Sequence, residues 1–152
     1  MPEIVPIKIK RLNEDFNDIP LPSYSTKGSS GLDIRAAVAD EEIIPAGELR
    51  LIPTNFSVEI PEGFEIQVRP RSGLAAKHGI SILNSPGTID SDYRGEIKII
   101  MMNFSKEDFK ILRGDRIAQL VVSKVYKAEL LISEELEESL RGSGGFGHTG
   151  KG

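Results

Sequence analysis

The chain has no cysteine. That absence removes disulfide frameworks and thiolate metal sites, and it suits a reducing compartment. Histidine is nearly absent too: His78 and His148 are the only two, too few for a histidine-rich transition-metal centre. Positive charge is not in excess. Nineteen Lys and Arg against 23 Asp and Glu leave a net charge of −4, which argues against a surface built to wrap nucleic acid. An anionic ligand must then be met by a local cluster of cations. No apolar run approaches membrane-spanning length, and the opening MPEIVPIKIK places Glu3 and prolines where a secretory leader carries a basic start and an apolar core. The expectation is a soluble cytoplasmic protein, with neither nucleic acid nor membrane as partner.

What is present is alternation. At 152 residues the chain suits one domain, and a domain of that size buries about 68 to 70% of its unfolded surface, so a core needs no staples. Val5, Ile7 and Ile9 alternate with polar or breaking residues, as do Leu32, Ile34 and Ala36, then Phe56, Val58 and Ile60, then Phe64, Ile66 and Val68. A period of two over short runs predicts half-buried strands. Pro61-Glu62-Gly63 predicts a hairpin joining the last two runs, and Pro45-Ala46-Gly47 and Arg113-Gly114-Asp115 predict further turns. Strands at roughly 8 to 12-residue spacing indicate an all-β sandwich or barrel. Helix is scarce: one short piece is expected with Ser72 as its N-cap, another from Ser133 into Glu134–Leu140.

Chemistry concentrates in Asn84 to Glu96, NSPGTIDSDYRGE, between apolar runs 80–83 and 97–102. A loop that only had to turn would use two to five small polar residues. This one carries acids, an aromatic and a base together, a composition for binding. Arg69-Pro70-Arg71-Ser72-Gly73-Leu74 sets two arginines ahead of a helix start, which favours an anion, although a solvated turn fits those residues equally well. Asp33 by itself reads as an exposed polar position, and Gln119, inside the run 117–122, needs partners or must face outward. The tail RGSGGFGHTGKG reads from composition as a flexible Gly/Ser segment. Phe146 resists that reading, since a phenylalanine among glycines belongs to no core but suits a lid over a flat ligand. The glycine spacings in this tail imitate dinucleotide and P-loop motifs, but no strand and helix flank them.

Five clusters in order resemble the motifs of the homotrimeric dUTPase family (deoxyuridine triphosphate nucleotidohydrolases): GLDIRAA from Gly31, RPRSGLA from Arg69, GTIDSDYRGE from Gly87, GDRIAQL from Gly114 and RGSGGFGHTG from Arg141. The resemblance covers essentially the whole chain. It implies a distorted jelly-roll-like β-barrel over residues 1–140, with one or two short helices, and a Gly-rich arm over 141–152 that closes over the active site. It further implies a homotrimer with shared active sites that hydrolyses dUTP to dUMP and pyrophosphate, keeping uracil out of DNA and supplying dUMP for thymidylate synthesis. Under the same resemblance Asp90 activates the water that attacks the α-phosphorus, with Gln119 beside it. Asn84 and the hairpin backbone read uracil, and Tyr93 packs on the deoxyribose. Arg71, Ser72 and Arg141 meet the phosphates, and Phe146 covers the base. Gly73, Thr88, Ile89, Lys98 and Gly147 complete the implied substrate contacts. Mg²⁺ is the implied cofactor, riding on the triphosphate, with Asp33 bonding it through water.

One position departs from the family pattern. Where members commonly carry serine in the last motif this chain has His148, whose imidazole can donate to a phosphate oxygen and is expected to alter the pH dependence. Two rival readings use the same scaffold, a dCTP deaminase and a non-catalytic nucleotide-sensing module. Against the first, the position corresponding to the deaminase glutamate is Ile100; against the second, a sensor has no use for Asp90 as a water activator.

Overall fold

In the computed structural model, which describes residues 3–151, twelve strands form four antiparallel sheets. The first pairs β1 (Lys8–Arg11) with β6 (Phe56–Glu59). A second runs β5 (Leu49–Pro53), β10 (Lys98–Asn103), β8 (Ile80–Ile82), and a third pairs β11 (Phe109–Leu112) with β4 (Glu41–Ile44). The largest has the order β2 (Ser23–Tyr24), β3 (Leu32–Arg35), β12 (Arg116–Lys124), β7 (Phe64–Arg69), β9 (Gly87–Ile89). The fold is therefore all-β and jelly-roll-like, as expected. Its core is built largely of isoleucine: Ile34, Ile44, Ile52, Ile66, Ile99 and Ile111 are buried around Phe56. β-Branched side chains have few rotamers to lose and pack well on a pleated surface.

Several local expectations change once the sheets assemble. The turn at Pro61-Glu62-Gly63 forms, with Phe64 N–H donating to Pro61 O at 3.2 Å, but it does not close a hairpin. β6 pairs with β1 while β7 pairs with β12 and β9, so the turn passes the chain from one sheet to another. Both runs alternate equally well, and alternation alone does not choose a partner. The first strand starts at Lys8, later than the apolar alternation from Val5. The expected helix is there as α1 (Ser72–His78), but Arg71 occupies its N-cap and makes no side-chain cap bond. Ser72 is the first helical residue. No helix forms after Ser133: residues 125–140 run irregular and mostly exposed. Acids near a helix start stabilise it by tenths of a kcal/mol to about 1 kcal/mol, too little to hold so short a segment that packs on nothing. A 3-10 turn at Glu14–Phe16, which no sequence signal indicated, forms instead near the N-terminus.

The triplet Arg113-Gly114-Asp115 is a turn, with Gly114 at φ 80° and Asp115 N–H on Leu112 O. Arg113 holds Asp18 with two hydrogen bonds of 2.7 and 2.9 Å and covers the Phe16 ring at 4.5 Å, which fastens the 3-10 turn to the β11–β12 connection. The guanidinium keeps the Asp18 carboxyl below its ordinary range.

Candidate functional site

The insert between 83 and 97 is more than a loop. β8 and β10 do pair, with Met101 opposite Ile82, but the chain between them leaves that sheet and adds β9 to the edge of another, with Gly87 opposite Val68 and Ile89 opposite Ile66. β9 ends its sheet, so its outer edge carries backbone groups without a strand partner. Gly87, Thr88 and Ile89 of β9 line a cleft of about 320 Å³ together with Asn84, Asp90, Tyr93, Glu96, Lys98 and Ile100. Asp90 follows β9 directly, and its carbonyl accepts the Tyr93 N–H at 3.1 Å. The Tyr93 hydroxyl donates to Glu96 O at 2.9 Å and lies over Gly95, where a Cβ would run into it. The third motif needs glycine there because an aromatic ring has taken the space.

A second cleft, of about 260 Å³, gathers Ser25, Gly31, Asp33, Arg71, Ser72, Gly73 and Gln119. Three adjacent strands set it up. Asp33 on β3 stands opposite Gln119 on β12, and Gln119 stands opposite Arg69 on β7, so the three occupy one row across the sheet. Gln119 Nε2 donates to Pro70 O at 3.0 Å, and its Oε1 packs on Gly31 so closely that a Cβ would collide with it. Asp33 is not the free polar position its sequence context suggested. Its Oδ1 pairs with Arg71 Nε at 3.3 Å; its Oδ2 takes the Ser25 hydroxyl at 2.6 Å and Arg116 at 3.3 Å. The side chain is only 15% exposed. Ser25, Gly31 and Arg116 thus belong to the site although no role was read for them; the serine-rich run from Ser23 to Ser30 was the available signal.

With both oxygens of Asp33 committed to guanidinium groups and a hydroxyl, these residues do not fit a resident Mg²⁺. Among the described residues no group of three His, Asp or Glu could hold a metal ion. Nothing else in the second cleft supplies carboxylate oxygen.

The structure therefore brings the expected residues together in two sets. Asn84, Thr88, Ile89, Asp90, Tyr93 and Lys98 share the first cleft; Asp33, Arg71, Ser72, Gly73 and Gln119 share the second, and no residue lines both. Arg141, Phe146 and Gly147 join neither. The described part of the arm turns on itself, with Arg141 Nε donating to Gly144 O at 2.6 Å and the His148 ring lying against Gly144. Phe146 is fully exposed at φ 51°, a backbone conformation that bulky residues rarely adopt. Gly152, the last residue of the expected arm, lies outside the described residues.

A family model described as dUTPase matches residues 17–150. The chain is 52% identical over 144 residues to the deoxyuridine 5′-triphosphate nucleotidohydrolase of Thermoanaerobacter sp. (strain X514), covering 95% of this chain and 97% of that one. To the enzyme of the same name from Neorickettsia sennetsu (strain ATCC VR-367 / Miyayama) it is 56% identical over 133 residues, 88% and 89% of the two chains. Among solved structures, a Staphylococcus bacteriophage 80alpha dUTPase variant with dUpNHpp superposes with a TM-score of 0.83 at 27% identity, covering 96% of this chain and 99% of that one. A dUTPase variant from phage phi11 of S. aureus, in which a structural Mg(II) ion is coordinated, gives 0.76 at 26% identity over 88% of this chain and 99% of that one.

Proposed function

Because the chain belongs to the dUTPase family, we propose that its two clefts hold the two halves of one substrate, the nucleoside in the first and the triphosphate in the second. The enzyme hydrolyses dUTP to dUMP and pyrophosphate. Uracil's imide edge suits the unpaired edge of β9 and the Asn84 amide, since each offers alternating donors and acceptors. Tyr93, fixed by its bond to Glu96 O, closes the sugar side and leaves no room for a 2′-hydroxyl. Asp90 lies exposed at the cleft's rim, where its carboxylate accepts a proton from the attacking water. Arg71, Ser72 and Gln119 meet the phosphoryl oxygens, on which charge builds during transfer. The observation that carries the reading is the gathering of Asn84, Asp90 and Tyr93 in one cleft.

No residue of one copy's second cleft or arm lines its first, which supports a homotrimer whose sites are completed by neighbouring copies. Tyr126, Leu130, Leu131, Ile132, Leu136 and Leu140 are each at least 80% exposed on the segment leading to the arm, and so many exposed large apolar side chains on one segment suit burial against a partner. The barrel of residues 1–140 is then followed by an arm, 141–152, in which Arg141 reaches the terminal phosphate, Phe146 covers uracil, and Gly147 lets the backbone approach. Magnesium belongs to the substrate: it enters on the triphosphate, and contact of Asp33 with its waters requires the carboxylate to part from Arg71 and Arg116 first. A cytoplasmic setting suits this nucleotide chemistry. Among the described residues no helix is long and apolar enough to cross a membrane.

A pyrophosphate-release assay across the deoxynucleoside triphosphates, with UTP and dCTP included, tests the reading. Efficient turnover is expected for dUTP alone; UTP within a few-fold of it would defeat the sugar-exclusion argument. Deamination of dCTP is not expected, since Ile100 gives the cleft an apolar wall where a deaminase would need its glutamate. Gly31→Ala probes the second cleft. A methyl group there displaces Gln119 from Pro70 O, and a misplacement of about 1 Å can cost up to about 10²-fold in rate. Turnover should fall while thermal unfolding moves little; unchanged turnover would remove Gln119 from the mechanism.

A further inference from the structure

Ser25 lines the second cleft, yet the reaction as described gives its hydroxyl no part. Its place is fixed from both sides. It follows the edge strand β2 directly, where Ser23 stands opposite Asp33 and Tyr24 opposite Leu32. Beyond it the chain closes a tight turn, in which Ser29 N–H donates to Thr26 O at 3.1 Å and Thr26 N–H donates to the Ser29 hydroxyl at 3.0 Å. Those bonds stay within the turn. The Ser25 hydroxyl makes one bond among the described residues, to Asp33 Oδ2 at 2.6 Å. It is the shortest of the contacts on that carboxylate and the one that comes from an uncharged group; Arg71 and Arg116 supply the others at 3.3 Å.

We infer that Ser25 is a positioning residue of the second cleft, whose hydroxyl holds the Asp33 carboxylate in place while the guanidinium groups leave it as the triphosphate binds. The inference rests on the proposed placement of the triphosphate in this cleft. Phosphate oxygens draw Arg71 away from Asp33 by charge as well as by hydrogen bonding, because guanidinium and phosphate pair bidentately. A hydroxyl feels only the second pull. Asp33, with a side chain only 15% exposed, would be left as a carboxylate with little water and no partner, which is costly. The remaining donors of the cleft do not serve it: Gln119 Nε2 is spent on Pro70 O, the Ser29 hydroxyl shares a bond with Thr26, and Ser30 and Ser72 make no bond to Asp33. Ser25 alone offers Asp33 a donor that need not leave, set by a backbone that is itself tied down.

Binding of an α,β-imido analogue of dUTP and hydrolysis of dUTP, both with Mg²⁺, test this on the full chain. The variants are Ser25→Ala, Ser25→Thr, Asp33→Asn and the double variant Ser25→Ala/Asp33→Asn. Ser25→Ala should weaken the analogue and raise KM by about 10-fold, the usual worth of a hydrogen bond to a charged group, and leave kcat within about twofold of the parent. Ser25→Thr keeps the hydroxyl and should recover most of that loss. In the Asp33→Asn background the Ser25→Ala change should cost at most about twofold, since no charge remains to be held. Ser25 is exposed, so its replacement leaves the core intact and thermal unfolding should move little. An undiminished loss in the Asp33→Asn background would put the hydroxyl on the phosphates themselves and overturn the inference. A loss confined to kcat, or no loss in Ser25→Ala, would overturn it too. A parent chain that neither binds the analogue nor hydrolyses dUTP would instead overturn the placement of the nucleotide, which separates the two failures.

Discussion

Asp90→Asn should bind dUTP as the parent does and hydrolyse it at least about 10²-fold more slowly, the low end for loss of a general base. Asparagine preserves the shape that the turn requires. The turn itself is made by the Asp90 carbonyl and the Tyr93 N–H, neither of which changes. β9 remains paired to β7 and the Tyr93 hydroxyl remains on Glu96, so the nucleoside cleft should survive intact. What disappears is basicity at one atom pair. The loss should therefore fall on kcat, with binding of an α,β-imido analogue unaltered, the signature of an interaction needed only as the transition state forms. A variant retaining more than half the parent rate would make Asp90 a turn residue and send the search for the water's activator elsewhere.

Ending the chain after Leu140 should leave a folded assembly that has lost most of its catalysis. No described residue from 141 onward is buried, so removing the segment costs the core little. It does remove Arg141 and Phe146, which nothing in the two clefts replaces. Arg141 is bonded to Gly144 O and Phe146 faces solvent, so an arm that closes over substrate as proposed would have to exchange that internal bond for contacts with it. Binding and closure then become one event. Sedimentation and dUTP turnover on the shortened chain separate the outcomes. Near-normal turnover would make the arm the flexible appendage its composition suggests; dissociation into monomers would show that it holds the assembly together.

Different kinds of residue were legible to different degrees. Phe64, Ile66 and Val68 announced a strand because alternation is a local property, and Gly114 announced a turn because few residues tolerate its φ. The helix at Ser72 was visible for the same reason, although its cap was assigned one residue late. The segment after Ser133 misled because acids at a helix start are a weak local bonus, and only packing decides whether so short a piece forms. The hairpin expected between β6 and β7 failed on partner choice: a turn reverses the chain without specifying which strand it meets.

The site shows the same division. Asp33, Arg71, Asn84, Asp90, Tyr93, Gln119 and Phe146 stand out in the sequence as candidates because the order of the motifs that contain or adjoin them resembles a family pattern, which is written there. Tertiary structure alone decided that Asp33 is neutralised by Arg71 and Arg116, that Gly31 makes room for Gln119, and that the Ser25 hydroxyl bonds the Asp33 carboxylate. It alone placed the expected residues in two clefts. The physical reason is range: alternation and turn chemistry depend on neighbours a few residues away, whereas these contacts join strands such as β3 and β12, whose pairing is selected only when the whole core packs.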